Sequence, residues 1–139
     1  MKIYKMIKKI LFFALTFLIN AITFSQVFTS NSIKYNITDA TNKKVEVSTN
    51  TNFTGTANIP QAVIYNGQNY TVTSIGDNAF SNCSGLSSVI IPSTVSTIGN
   101  YAFNNDINLT SVIFPNSVTS IGQYSFSNTG ITSLTLPSS

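Results

Sequence analysis

The chain has 139 residues, of which only 8% are charged, far below the roughly 25% of an average soluble domain, and that length holds one domain plus a targeting segment. It contains no His, Trp or Arg; the missing His removes the usual general base and any Ser-His or Cys-His pair, so catalysis is not expected. The net charge of +3 belongs to the first nine residues (Lys2, Lys5, Lys8, Lys9), beyond which three lysines face four acids, which leaves no clustered cations to track phosphates and excludes nucleic acid as a partner.

Residues 1–25 read as a secretory signal peptide. Lysines open the segment, Ile10 to Ile19 form an apolar stretch, Asn20 ends it, and Thr23-Phe24-Ser25 places small residues at the −3 and −1 positions. The stretch is shorter than the roughly 20 apolar residues of a spanning helix, so the mature chain is expected to carry no membrane span. The competing reading is an uncleaved anchor. No Cys follows the stretch, which argues against a lipid-anchored start.

Residues 26–71 read as a β-rich cap. Ile33, Tyr35 and Ile37 alternate with polar residues as a half-buried strand does. Asp39 to Lys44 is a polar loop, and Val45 and Val47 alternate in a second strand, which makes the two a hairpin. Phe53 to Ile59 is a third strand, ending at Pro60. Val63 to Tyr70 contains Asn66-Gly67 between β-formers, the strongest short hairpin signal. Ile59-Pro60 echoes a strand ending found later in the chain, so the segment also reads as a degenerate first repeat with a hairpin inserted after it.

From residue 72 the chain repeats. Val72-Thr-Ser-Ile75-Gly76-Asp77-Asn78-Ala79-Phe80 matches Val95-Ser-Thr-Ile98-Gly99-Asn100-Tyr101-Ala102-Phe103 and Val118-Thr-Ser-Ile121-Gly122-Gln123-Tyr124-Ser125-Phe126 at a spacing of 23 residues. The second halves match too: Leu86-Ser-Ser-Val89-Ile-Ile91-Pro92, Leu109-Thr-Ser-Val112-Ile-Phe114-Pro115 and Ile131-Thr-Ser-Leu134-Thr-Leu136-Pro137, the third unit being one residue shorter. Val89 and Ile91 share one face of a short strand. Val72 and Ile75 supply apolar groups from the opposite side of the coil, Ala79 and Phe80 fill the space between, and Gly76 allows a turn that a side chain would hinder. Pro ends each strand because it donates no ladder hydrogen bond. One unit cannot bury its apolar face alone, so the units must stack.

This pattern, V-x-x-I-G-x-x-A-F followed by L-x-x-(V/L)-x-(I/F/L)-P over residues 72–137, resembles the BspA-type leucine-rich repeats of bacterial surface proteins. The resemblance implies a mainly β solenoid with a β-sheet on one face and irregular turns elsewhere, and, for some members, adhesion or host-protein binding. The lead-in from Tyr70 to Gly76 is similar to the join that precedes such arrays. Residues 72–139 are assigned to repeats on this basis. The chain stops at Ser138-Ser139, where the next Val-x-x-Ile-Gly would begin. Because repeat arrays normally carry caps at both ends, a truncated, N-terminal piece of a longer protein is expected.

Candidate chemistry is sparse. Asp77 and Asp106 occupy different phases of the repeat, so stacking does not pair them. No metal set exists, and no cofactor is expected. Cys83 aligns with Asp106 and Thr129, which reads as a turn position whose small polar group bonds backbone. Sequons at Asn36, Asn52, Asn69, Asn82 and Asn108 matter only in a eukaryotic secretory route. The outward strand positions Ser88, Ser111 and Ser133, with Ile90, Ile113 and Thr135 in the next row, are the candidate binding face, on the side solenoids commonly use; the competing reading is that β-branched residues simply suit strands. Tyr101 and Tyr124 share a phase with Asn78, as either a contact ridge or turn packing. The expected function is a noncatalytic secreted or cell-surface module that binds a protein or glycan at a cell surface or matrix. The alternative is a spacer at the start of a longer repeat protein.

Overall fold

The computed structural model describes residues 25–133. Every regular element among them is a strand: β1 (Val27–Ser30), β2 (Ile33–Asp39), β3 (Lys44–Val47), β4 (Thr54–Asn58), β5 (Ala62–Tyr65), β6 (Gln68–Ile75), β7 (Gly85–Ile90), β8 (Thr97–Ile98), β9 (Ser111–Ile113) and β10 (Ser120–Ile121). All but the last residue of the segment read as a signal peptide, residues 1–24, lie outside the described residues. No helix among the described residues is long and apolar enough to cross a membrane.

The strands form two sheets rather than the one that the resemblance implied. The larger runs β1-β2-β3-β6-β8-β10, with β5 attached to β6; the smaller is β4-β7-β9. The difference has a simple cause. The Val-x-x-Ile segments do more than supply apolar side chains: Ser74-Ile75, Thr97-Ile98 and Ser120-Ile121 pair in parallel, in register at the repeat spacing. The coils therefore make a backbone ladder on that side as well. Between the sheets the turns are also paired. The amides of Asn78, Phe80 and Asn82 donate to the carbonyls of Asn100, Ala102 and Asn104, and those of Tyr101, Phe103 and Asn105 donate to Gln123, Ser125 and Ser127. Coil-to-coil hydrogen bonds thus satisfy the turn backbone that burial would otherwise leave unpaired.

The repeat register extends below residue 72. Val45 pairs with Val72 and Val47 with Ile75, while Thr56, Ala57 and Asn58 pair with Ser88, Val89 and Ile90. Residues 45–60 are therefore laid down as one more coil, and β5 with the start of β6 is the hairpin inserted after it. Its turn is Asn66-Gly67, both at positive φ (48° and 73°), as the Asn-Gly signal requires. A hairpin that the sequence pattern does not announce precedes them: β1 and β2 pair antiparallel around Asn31 and Ser32, at φ 48° and 66°. Asn-Ser marks such a turn far less clearly than Asn-Gly does.

The core is one column: Val45, Val72 and Val95 on one side, Ala57, Val89 and Leu86 on the other, and Phe80 and Phe103 between, all fully buried. Phe80, Phe103 and Phe126 stack face to face, with centroids 5.6 and 5.1 Å apart. Gly76, Gly99 and Gly122 have a reason other than turn flexibility, since none of them has positive φ. A Cβ on Gly76 would lie 2.8 Å from the Val47 carbonyl oxygen, and one on Gly99 would lie 2.6 Å from the Asp77 nitrogen. The coil beneath takes the space that a side chain would need.

Candidate binding surfaces

The smaller sheet presents its outward positions in straight rows. Thr56, Ser88 and Ser111 form one, and Asn58, Ile90 and Ile113 the next. Ser88 and Ile90 are half-buried, Ser111 and Ser133 are exposed, and Ile113 is 56% exposed; Thr135 lies outside the described residues. No charged side chain stands in either row: alternation sends Val89 and Ile91 inward, Leu86 is buried as well because the ladder skips Ser87, and only small hydroxyls, amide and Ile are left outside. The result is a flat, neutral strip with an apolar line beside a hydroxyl line.

A second surface runs along the turns that follow each Gly. Tyr101 and Tyr124 stack with centroids 5.4 Å apart and planes at 17°, and they are 41% and 62% exposed. Both have φ of 55°, matching Asn78 at 54° in the preceding coil. A left-handed backbone costs about 1–2 kcal/mol for a side chain other than Gly or Asn, twice over here, whereas one stacked aromatic pair contributes about 0.5–1.5 kcal/mol. Four residues further along the same turns, Asn105 Nδ2 donates to Asn82 Oδ1 (3.2 Å) and Asn128 Nδ2 to Asn105 Oδ1 (2.9 Å). Sequence reasoning missed this amide ladder, although its signal exists: Asn recurs there at the repeat spacing.

A shallow cleft of about 400 Å³ opens where the strands of the larger sheet end, lined by Glu46, Ser74, Asp77 and Thr97 among others. Its carboxylates already act as structural ties: Glu46 Oε1 accepts Asn36 Nδ2 at 2.9 Å, and Asp77 Oδ1 accepts the Asn100 amide at 2.7 Å. Asn100 Oδ1 in turn accepts the Gln123 amide at 2.8 Å, so this column positions each coil on the next.

Cys83 is fully buried. Its Sγ lies 3.4 Å from the Phe53 amide and donates to the Asn50 carbonyl at 3.2 Å, and burial pushes the thiol pKa up. Asp106 accepts the Cys83 amide, and Thr129 Oγ1 donates to the Phe126 carbonyl at 3.0 Å. The aligned position bonds backbone in all three coils, and a buried, neutral thiol is a packing group rather than a nucleophile. Among the described residues no three His, Cys, Asp or Glu side chains gather where a metal could bind.

The BspA type leucine rich repeat region family matches residues 18–139, in 6 copies. Among solved structures, a leucine-rich repeat protein from Bacteroides ovatus is similar at 31% identity and a TM-score of 0.66, over 79% of this chain and 35% of that one. A leucine rich cell surface protein from Faecalibacterium prausnitzii is similar at 32% identity and a TM-score of 0.65, over 76% of this chain and 29% of that one. A leucine-rich repeat protein from Bacteroides capillosus aligns at 26% identity and a TM-score of 0.61, over 70% of this chain and 71% of that one. The chain thus spans about a third of the length of the first two. No curated protein matches. Coil register, glycine positions and family match agree: this chain belongs to the BspA-type leucine-rich repeat family.

Proposed function

We propose that the chain is a noncatalytic module of a secreted or cell-surface protein, binding a protein or glycan at a cell surface or matrix through the outward face of the smaller sheet. Ser88, Ile90, Ser111, Ile113, Ser133 and Thr135 are its contact positions. The observation that carries this reading is the charge-free strip in which Ile113 stands 56% exposed beside Ser111, since an apolar line on a rigid flat sheet is a natural anchor for a partner. The leader-like residues 1–25 support export, and the empty catalytic inventory supports a binding role over an enzymatic one. The test is a binding screen of residues 26–139 against immobilised extracellular-matrix proteins and surface glycans, with Ile113→Lys as the face variant. Binding that Ile113→Lys abolishes supports the reading, and a folded chain that binds nothing overturns it.

A second reading is a spacer within a longer repeat protein, with no binding activity of its own. It is favoured by the share of the similar proteins that the chain spans, 35% and 29%. Loss of ligand binding from a longer parent protein when this segment is exchanged for unrelated coils would exclude it.

A further inference from the structure

The stacked pair of Tyr101 and Tyr124 joins two coils at the surface, and the rest of the composition leaves it open to one kind of chemistry. Trp and His are absent from the chain, both Met (Met1 and Met6) precede the described residues, and Cys83 is fully buried. The side chains that usually take up an oxidant are thus missing or shielded, and phenol rings are the most oxidisable groups left facing solvent. The tyrosines are not equivalent. Tyr35 and Tyr70 are buried. Tyr65 is half-buried, and its hydroxyl is held by Gln26 Nε2 at 2.6 Å. Among the described tyrosines only Tyr101 and Tyr124 stand open, at 41% and 62% exposure.

They are also placed to react with each other. Their ring centroids lie 5.4 Å apart with planes at 17°. Both residues have φ of 55°, so the two side chains leave their coils in the same direction. The Tyr101 amide donates at 2.9 Å to the carbonyl of Gln123, the residue before Tyr124, which holds the two backbones one hydrogen bond apart. Tyr65 and Tyr70, the other neighbouring pair, are 6.2 Å apart and edge-on at 74°, with one ring buried. Groups held adjacent react with the advantage of a unimolecular step over groups that must meet by diffusion. Rotation about χ2, a broad and roughly two-fold torsion in Tyr, turns the ring edges from stacked to facing.

We infer that Tyr101 and Tyr124 form an oxidative cross-linking site, at which a one-electron oxidant of the peroxidase and peroxide class couples adjacent coils through a dityrosine bond. Each phenol gives one electron to the oxidant and its hydroxyl proton to solvent. The two phenoxyl radicals join by a single carbon–carbon bond between ring positions ortho to the oxygens. The hydrogen on each joined carbon then moves, as a proton, to the phenoxyl oxygen and restores the aromatic ring. In sum two hydrogens leave the protein, and one hydrogen peroxide becomes two waters. The bond staples the coil of Tyr101 to the coil of Tyr124 and closes a loop that the unfolded chain must then carry, which stabilises the folded state. It does not involve the strip of Ser88 and Ile113 and does not depend on a ligand there.

The experiment treats the purified chain with a haem peroxidase and hydrogen peroxide, stops the reaction with catalase, and reads dityrosine fluorescence in the monomer band of a denaturing gel. An endoprotease that cuts before Asp then separates Tyr101, in residues 77–105, from Tyr124, in residues 106–139. The expected result is a fluorescent monomer whose two fragments travel as one species, lighter than their sum by two hydrogens. Tyr101→Phe and Tyr124→Phe keep the ring and remove only the hydroxyl, so the fold is retained, which circular dichroism checks. Either variant should lose the joined species and bring monomer fluorescence to background, whereas Tyr65→Phe should cross-link like wild type. Absence of the joined species from folded wild type, under conditions that couple free tyrosine, overturns the inference. So does a joined species undiminished in either folded Phe variant, or dityrosine confined to bands that contain two chains.

Discussion

The Cys83 amide donates to Asp106 Oδ1 at 2.7 Å across the junction of two coils, with both side chains fully buried. The other carboxyl oxygen of Asp106 is buried without a hydrogen-bond partner. Burial pushes the Asp106 pKa from 3.8 up to about 7, against the opposing pull of the Cys83 amide. The neighbouring thiol is pushed up as well and supplies no cation to hold a carboxylate. The folded chain thus keeps a proton that the unfolded chain releases between about pH 4 and about pH 7. Stability falls as pH rises through that window and levels off above it. At about 1.36 kcal/mol per pKa unit the loss is a few kcal/mol. Asp39, whose pKa is lowered chiefly by the Asn42 amide, acts with the opposite sign and only below its ordinary range. Asp106→Asn keeps an oxygen for the Cys83 amide and has no proton to lose. Urea unfolding at pH 5 and pH 8 should show a clear decline for wild type and a flat response for the variant. Parallel declines would show that Asp106 is not the titrating group.

The two kinds of glycine predict different penalties. Gly67 sits in the Asn66-Gly67 turn at φ 73° with open space around it, whereas Gly99 has ordinary φ and three atoms of the coil below within 2.6 Å of the place a Cβ would take. Gly67→Ala should cost about 1 kcal/mol, the strain of a left-handed side chain. Gly99→Ala must separate two coils and should cost more, about 3 kcal/mol, as overpacking against backbone does. Urea midpoints of the two variants give the order; the reverse order would mean that Gly99 serves the turn and not the stacking.

The middle phenylalanine of the stack touches both neighbours, with centroids at 5.6 Å to Phe80 and 5.1 Å to Phe126. Phe103→Ala should cost about 3–5 kcal/mol through lost transfer energy and the cavity left behind. Phe103→Leu refills most of the volume and should recover more than half. Thermal unfolding of the pair measures this, and equal losses would mean that ring stacking outweighs volume.

Repetition makes the coils legible in the amino-acid sequence itself. Ala79, Ala102 and Ser125, or Phe80 and Phe103, hold buried positions that admit only a similar shape, so stacking writes the same or a near-isosteric residue at each period. The role of Cys83, Asp106 and Thr129 as backbone-bonding groups is legible for the same reason. The second sheet is not, because two-residue strands such as Thr97-Ile98 and Ser120-Ile121 are too short to show alternation. Nor is the burial of Asp106, which as a lone acid in an Asn-rich turn looks like surface. The ladder of Asn82, Asn105 and Asn128 is written in the repeat, but Asn is common throughout this chain, so its recurrence at one phase does not stand out. The candidate strip on the smaller sheet follows directly from strand alternation at Ser88 to Ile91.

Asn50 is the clearest case of a residue whose role only the fold reveals, and it yields the last prediction. Its Oδ1 accepts the Lys34 amide of β2 at 2.8 Å, and its Nδ2 donates to the Ser48 carbonyl at 2.7 Å and the Ala79 carbonyl at 3.3 Å. Its own amide donates to the Ala79 carbonyl at 2.7 Å. One buried side chain thus ties the β1-β2 hairpin to the coil of residues 45–60 and that coil to the one that follows it. Its partners are backbone groups, which leave no trace in a sequence pattern. Asn50→Ala strands the Lys34 amide, at about 1–3 kcal/mol for a buried unsatisfied donor. The loss should fall unevenly. Hydrogen exchange of β1 and β2 should accelerate by roughly the factor that this penalty implies, while Phe103 and Leu109, two coils away, keep their protection. Asn50→Asp retains the Lys34 acceptor but loses both Nδ2 donations, and should fall between alanine and wild type in the hairpin. Uniform acceleration along the whole chain would instead show that hairpin and coils open as a single unit.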